Sequence, residues 1–284
     1  MLFRTFLRLT SKQFVYLLYS WCLLTFNFIN KLPRGRISNS RVLESIWNQT
    51  YELRFDGQQI KFHVPNWLTY FRAETFFAKE PETIDWIARI PKGSVFWDIG
   101  ANIGTFTICA ATRKLKVVAV EPSFLNLEIL NRNILTNNVS NIVTIVPFAV
   151  GNRTSSLDLF MSPNSFTWGG AHSSIGENIS AGGKPILAPI TVNTLCFTME
   201  DLVKLVSLDP PTHLKIDVDG LELEVLEGGA NLLSQITSIL IEVDNHFHGQ
   251  RGKISQLLQK YGFTLDFESS TNSATTNQIW NRNR

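Results

Sequence analysis

The distribution of apolar and polar positions divides the chain into three stretches. Gln13 to Asn30 runs for 18 residues without a charge, which predicts a helix just short of the roughly 20 residues that span a bilayer. Basic residues flank it on both sides, so the asymmetry that orients a span is missing, and no small-x-small cleavage pattern precedes Lys31. Scattered Phe, Tyr and Trp with Lys and Arg at the ends fit a helix at the headgroup level of a membrane. A helix packed on the body or on a second subunit fits equally well. Residues 37 to 93 are mixed: "YELRF" and "QIKFHV" alternate around "DGQ" and predict a hairpin, and Trp67 to Ile90 reads as helix interrupted at Pro81. From Ser94 onward, short β-rich runs alternate with helical stretches, the pattern of a parallel sheet covered by crossover helices.

The β-rich runs are "SVFWDIG", "KVVAVEP", "NIVTIVPFAV", "HLKIDVDG" and "SILIEVDN". Four of them end on or near a carboxylate: Asp98, Glu121, Asp217 and Asp244. Interior strands of a parallel sheet are apolar throughout, whereas their carboxyl ends open onto the crevice where ligands bind. The four acids are therefore expected to form a row facing one cavity.

The first run continues into a glycine loop, "VFWDIGANIGTFT", with Asp98, Gly100, Asn102 and Gly104 ahead of an apolar helix. Glu121 follows at the end of the second strand, where an acid reaches ribose hydroxyls in nucleotide-binding βαβ units. Nicotinamide and flavin sites favour G-x-G-x-x-G, whose middle glycine admits a pyrophosphate. Here Asn102 stands at that position, and an acid before the loop would repel a pyrophosphate but suit an ammonium group. S-adenosylmethionine, with a ribose and an amino acid but no phosphate, matches best.

Composition narrows the class. At 44% hydrophobic and 18% charged, the chain is too apolar for disorder or low complexity. Cys22, Cys109 and Cys196 are too few and scattered for a disulfide framework or a zinc site, so a reducing, cytoplasmic compartment fits. The net charge of +2 hides an asymmetry: residues 1 to 36 carry +6 and no acid, leaving the other 248 residues at −4. That argues against nucleic acid as a partner of the body and for a basic arm that meets something anionic, such as a membrane surface.

The pieces "FWDIGANIGTFT", "VVAVEPSFLNLEILNRNI", "VPFAVGN", "HLKIDVDGLELEVLEGGANLL" and "SILIEV" resemble, in order, the FkbM-type S-adenosylmethionine-dependent methyltransferases over roughly Val95 to Phe267. "KIDVDGLELEVLEGG" is the most specific of them. The resemblance implies an α/β fold of the class I methyltransferase (Rossmann-like) type, a mostly parallel sheet with helices on both faces. An N-terminal apolar helix and a small β/α cap precede it. The expected organisation is a basic apolar arm over 1–36, a cap over 37–93 and a methyltransferase domain over 94–284. The resemblance further implies cofactor contacts near Asp98, Gly100, Asn102, Gly104 and Glu121, and methyl transfer to a hydroxyl oxygen, on a sugar, glycan or glycosylated metabolite. Asp219 stands where relatives often have Glu, and "TVNTLCFTMEDLV" is a looser version of the family's Thr-Leu-Asp-Asp segment.

Asp217 and Asp219, at the end of the fourth strand, are the first candidates for orienting the acceptor or removing its proton, and Lys215 shares a strand face with Asp217. His246 is a third catalytic candidate, because histidine tunes most easily to accept a proton near neutrality; His172 and His248 are weaker ones. Asp217, Asp219, Glu242, Asp244 and Asn245 offer oxygen ligands of the kind magnesium prefers, but no spacing fixes such a site and no metal is assigned. The stretch from Pro163 to Pro189, rich in Gly, Ser, Asn and Pro, reads as a binding loop or a disordered excursion, with Phe166 and Trp168 placed to stack on a sugar. Two other functions stay open: a nicotinamide-dependent sugar enzyme, and a membrane-tethered binding protein that keeps the fold without catalysis.

Overall fold

A computed structural model describes residues 11–171, 173–178, 184–244, 249–269 and 275–282. Contacts between residues divide the chain into a first unit ending at Gln49 and a second spanning Thr50–Arg284.

In the first unit, α1 (Ser11–Ile29) and α2 (Gly35–Trp47) make a helical hairpin. Asn39 of α2 is buried and donates its amide to the Phe26 carbonyl at 2.7 Å and to Asn30 Oδ1 at 2.9 Å. Gly35 allows the close approach, since a Cβ there would lie 1.6 Å from the Ile29 carbonyl oxygen. The uncharged run is thus helical, but no helix among the described residues is long and apolar enough to cross a membrane.

The second unit opens with the expected hairpin, β1 (Thr50–Phe55) against β2 (Gln58–His63), closed by Asp56 and Gly57 at positive φ. Three short helices follow, α3 (Trp67–Glu74), α4 (Phe76–Lys79) and α5 (Pro81–Arg89), with Pro81 starting the last rather than kinking a longer one. The body is a seven-stranded sheet in the order β12-β13-β11-β10-β3-β4-β5. Its strands are β3 (Val95–Ile99), β4 (Lys116–Val120), β5 (Val143–Val146), β10 (His213–Ile216), β11 (Ser238–Asp244), β12 (Phe263–Glu268) and β13 (Thr275–Arg282). Only β13 runs against its neighbours.

Period-two alternation sends successive side chains to opposite faces, and both faces are covered. Phe96, Val117, Ala119 and Leu240 pack under α5, α6 (Thr105–Thr112) and α7 (Phe124–Thr136). Trp97, Ile99, Val118, Leu214, Ile216 and Ile239 pack under α8 (Met199–Val206), α9 (Glu222–Glu227) and α10 (Gln250–Lys260). Strand β2 lies beside α7, where Asn133 and Asn137, the residue that caps the helix end, accept the His63 and Lys61 amides at 2.7 and 2.9 Å.

The run "NIVTIVPFAV" is not one strand. Pro147 has no amide to donate, and the chain splits there into β5 and β6 (Ala149–Val150). The latter joins a second, four-stranded sheet with β7 (Ser155–Met161), β8 (Ser173–Ile175) and β9 (Ile190–Phe197), in the order β6-β9-β7-β8. This sheet is inserted between β5 and β10. Part of the stretch expected to be loop therefore folds as β8.

Candidate active site

Strands β3 and β10 are neighbours, but the chain runs from β3 outward through β4 and β5 and from β10 outward the other way. Their carboxyl ends flank the switch point at which open α/β sheets leave a crevice. A cavity of about 460 Å³ lies there, lined by Gly100, Asn102 and Glu121 from the first βαβ unit and by Asp217, Asp219, Glu242 and Asp244 from β10 and β11.

Glu121 is buried at the end of β4, and both its oxygens accept backbone amides: Asn102 N at 2.8 Å on Oε2 and Ser123 N at 2.9 Å on Oε1. Burial pushes its carboxyl up to about 7 against the opposing pull of those amides. Asn126 Nδ2 also reaches Oε1, at 3.5 Å, whereas Oε2 keeps a further lone pair for a donor from the cavity. Gly100 has φ +84°, and a Cβ there would meet the Asp217 carbonyl oxygen at 1.8 Å, so the glycine lets the loop after β3 lie against the end of β10.

Asp98 does not line the cavity. It alternates with Trp97 onto the α6 face, where it is buried, accepts the Thr107 hydroxyl at 2.6 Å and lies 3.9 Å from the Lys215 ammonium. Its place is that of a counter-ion beneath the floor rather than a partner for a ligand's ammonium. Gly104 also lies outside the lining: a Cβ there would reach Leu130 Cδ1 at 2.4 Å, so this glycine serves the packing of α6 on α7. Asp217 and Asp219 reach the cavity as expected from their strand-end position. His246, with His172, His248 and Asn245, lies outside the described residues.

The spacing of Lys215 and Asp217 does produce a pair. The fully buried Lys215 donates to Asp217 Oδ2 at 2.9 Å, with its ammonium 4.9 Å from the Phe106 ring centre. Burial opposes its charge, but the carboxylates of Asp217 and Asp98 outweigh burial and raise its pKa. Burial would likewise lift the Asp217 carboxyl, yet the Lys215 charge and a hydrogen bond from Glu242 hold it at about 2. The Asp217 charge, then burial, lift Glu242 to about 9. At neutral pH the two acids share one proton, carried by Glu242, which also accepts the Thr275 hydroxyl at 2.8 Å.

Several lining groups were not foreseen. Arg72 and Lys79, from α3 and α4, bring cations to a cavity otherwise dominated by acids. They sit on separate helices that break at Thr75, so no helical spacing in the sequence marks them as a pair. The segment Thr167–Gly170 is tied across the same cavity. Asn126 donates to the Gly170 carbonyl at 3.0 Å and accepts the Gly169 amide at 2.9 Å; Asn102 donates to Gly170 O at 2.8 Å and Arg72 Nε to Gly169 O at 2.7 Å. Phe166 instead packs edge-on to Phe124, and Trp168 Nε1 donates to Glu128, so neither aromatic lines the cavity.

Comparison with known proteins fits this architecture. Residues 98–265, more than half the chain, match the methyltransferase FkbM domain. The chain belongs to the FkbM methyltransferase family. A curated relative, hexuronic acid methyltransferase AglP of Haloferax volcanii, is 32% identical over 150 residues, which are 52% of this chain and 55% of that protein. The match thus spans about half of each. Solved structures include an FkbM methyltransferase from Methylobacillus flagellatus, at 14% identity and a TM-score of 0.48 over 87% of this chain and 59% of that one. A precorrin-6y C5,15-methyltransferase from Geobacter metallireducens matches at 15% identity and a TM-score of 0.43, over 71% and 86%. Membership of a methyltransferase family sets the nicotinamide-dependent alternative aside.

Proposed function

We propose that this FkbM-family protein transfers the methyl group of S-adenosylmethionine to a hydroxyl oxygen of a sugar, with hexuronic-acid-containing glycans as the first acceptors to test. The observation that carries the reading is that one cavity joins the ribose-type acid Glu121 to the strand-end acids Asp217 and Asp219. The donor set fits the cofactor. Glu121 offers Oε2 as an acceptor to a ribose hydroxyl, Val120, Pro122 and Ile175 offer apolar wall for the base, Arg72 and Lys79 suit the carboxylate, and Asp217 suits the ammonium. Bound there, S-adenosylmethionine would supply an electrophilic methyl group.

The chain's own residues do the rest. Asp217, held as an anion by Lys215, fixes a negative charge near the methyl donor. Asp219, two residues on and in the left-handed backbone region at φ 55°, is placed to orient the acceptor hydroxyl and accept its proton. Segment Thr167–Gly170, pinned by Asn126 and Asn102, borders the Glu121 side of the cavity.

Support from the relative concerns a sugar substrate, since its name is that of a hexuronic acid methyltransferase. The test is transfer of radiolabelled methyl groups onto uronic acid glycans, neutral glycans and peptides. Alkali-stable label on a glycan is expected. Label on peptides alone overturns the sugar acceptor, and alkali-labile label moves the acceptor atom from a hydroxyl to a carboxylate.

A further inference from the structure

A second cavity, about 990 Å³, opens between the inserted sheet and the α9–α10 side of the body. It is more than twice the volume of the cavity at the strand ends and sits at the top of the range of roughly 300–1,000 Å³ occupied by small-molecule sites. Asp219, with Val150 and Ile175, lines both spaces, so the proposed acceptor-facing acid stands where they meet. Positive φ at Asp219 (55°) and Gly220 (110°) turns the chain there, between β10 and α9. An acceptor entering from the large cavity would present its end at Asp219.

The walls indicate what enters. Gln250 is 9% exposed and donates to the Gly220 carbonyl at 2.8 Å, but its Oε1 is buried without a hydrogen-bond partner. Glu224 Oε2 on the adjacent helix is in the same state. Buried acceptors without donors are costly, by roughly 1–3 kcal/mol each, and a ligand rich in hydroxyls supplies donors. Leu157 and Leu223 stand among these polar groups as apolar wall, and Arg153 adds a cation. Hydroxyl donors along the edge and C–H surface on the faces are the alternation a chain of sugar rings presents.

Resting on the sugar-methylation reading above, we infer that this cleft binds two or more further sugars of an oligosaccharide whose end residue reaches Asp219. The enzyme accordingly acts on an assembled glycan rather than on a free monosaccharide. The reaction that supplies its substrate is glycosyl transfer, and methylation follows chain assembly.

The test is calorimetry on the full chain saturated with S-adenosylhomocysteine, titrated with uronic acid oligosaccharides of one to four residues. Affinity should rise by about tenfold or more from the monosaccharide to the trisaccharide. Asn152→Trp, at an exposed position on the cleft wall, should return the trisaccharide to the affinity of the monosaccharide while leaving S-adenosylhomocysteine binding unchanged. Arg153→Ala, a milder change in the same wall, should weaken the trisaccharide alone. Equal affinity along the series, or a length gain that Asn152→Trp retains, overturns the cleft. Failure of every saccharide to bind overturns it as well. The sugar-methylation reading is judged separately, by the labelled transfer onto glycans and peptides.

Discussion

The Lys215 ammonium lies 2.9 Å from Asp217 and 3.9 Å from Asp98, so one wholly buried cation serves a carboxylate inside the active-site cavity and another beneath it. Removing the cation strands buried negative charge. Lys215→Met is expected to destabilise the fold by about 3–5 kcal/mol. Adding Asp98→Asn and Asp217→Asn to Lys215→Met should recover most of that loss, because the two carboxylates that the ammonium serves are then neutral. Urea denaturation of the two variants measures this; equal losses in both would remove the electrostatic account of the triad.

Glu242 gives a pH signature. Its carboxyl ionises near about 4.3 in the unfolded chain but at about 9 beside Asp217, so between these values the folded state holds the extra proton. Stability contributed at this position therefore falls as pH rises from about 4.5 to 9, by at most about 1.4 kcal/mol per pH unit, the value for one proton. Asp217, held at about 2, works the other way and only in acid: its contribution is present above about pH 4 and is lost as pH falls toward 2. Glu242→Gln keeps the shape and cannot ionise. Its denaturation midpoint relative to wild type should rise steadily between pH 5 and pH 9, and a constant difference would contradict the shared proton.

Asn126 ties the 167–170 segment to α7 through two hydrogen bonds, to Gly169 N and Gly170 O. Asn126→Ala leaves both backbone groups without that partner and should cost about 1–3 kcal/mol. It should also hasten proteolytic cleavage between residues 163 and 171. Unchanged cleavage would mean that Asn66, Asn102 and Arg72 hold the segment without it.

The parts of this fold that could be read in the sequence are those where a side-chain period meets a local signal. "DGQ" between alternating runs gives the β1–β2 hairpin, and the five β-rich runs mark strands of the main sheet, because Gly and Asp set the turns and burial on both faces makes the interiors apolar. The inserted sheet is not legible in the sequence because β7 and β9 pair across residues 162–189, with no short turn to mark the hairpin. At the site, Glu121 and Asp217 were legible from position alone. Asp98 was not, because strand-end placement does not say which face a side chain takes, and the α6 face there holds Thr107 and Lys215. Arg72 and Lys79 come from helices distant in sequence from the strand ends they serve, and Asn126 meets Gly170, 44 residues on, so no local spacing records these tertiary meetings.

The strand-end cavity is proposed to hold S-adenosylmethionine through Glu121. Calorimetric titration of wild type and Glu121→Ala tests it directly, with circular dichroism to confirm folding. Saturable binding of S-adenosylmethionine to wild type, weakened about a hundredfold or abolished in a folded Glu121→Ala variant, is the result this account predicts. Equal affinity in the two proteins would contradict it.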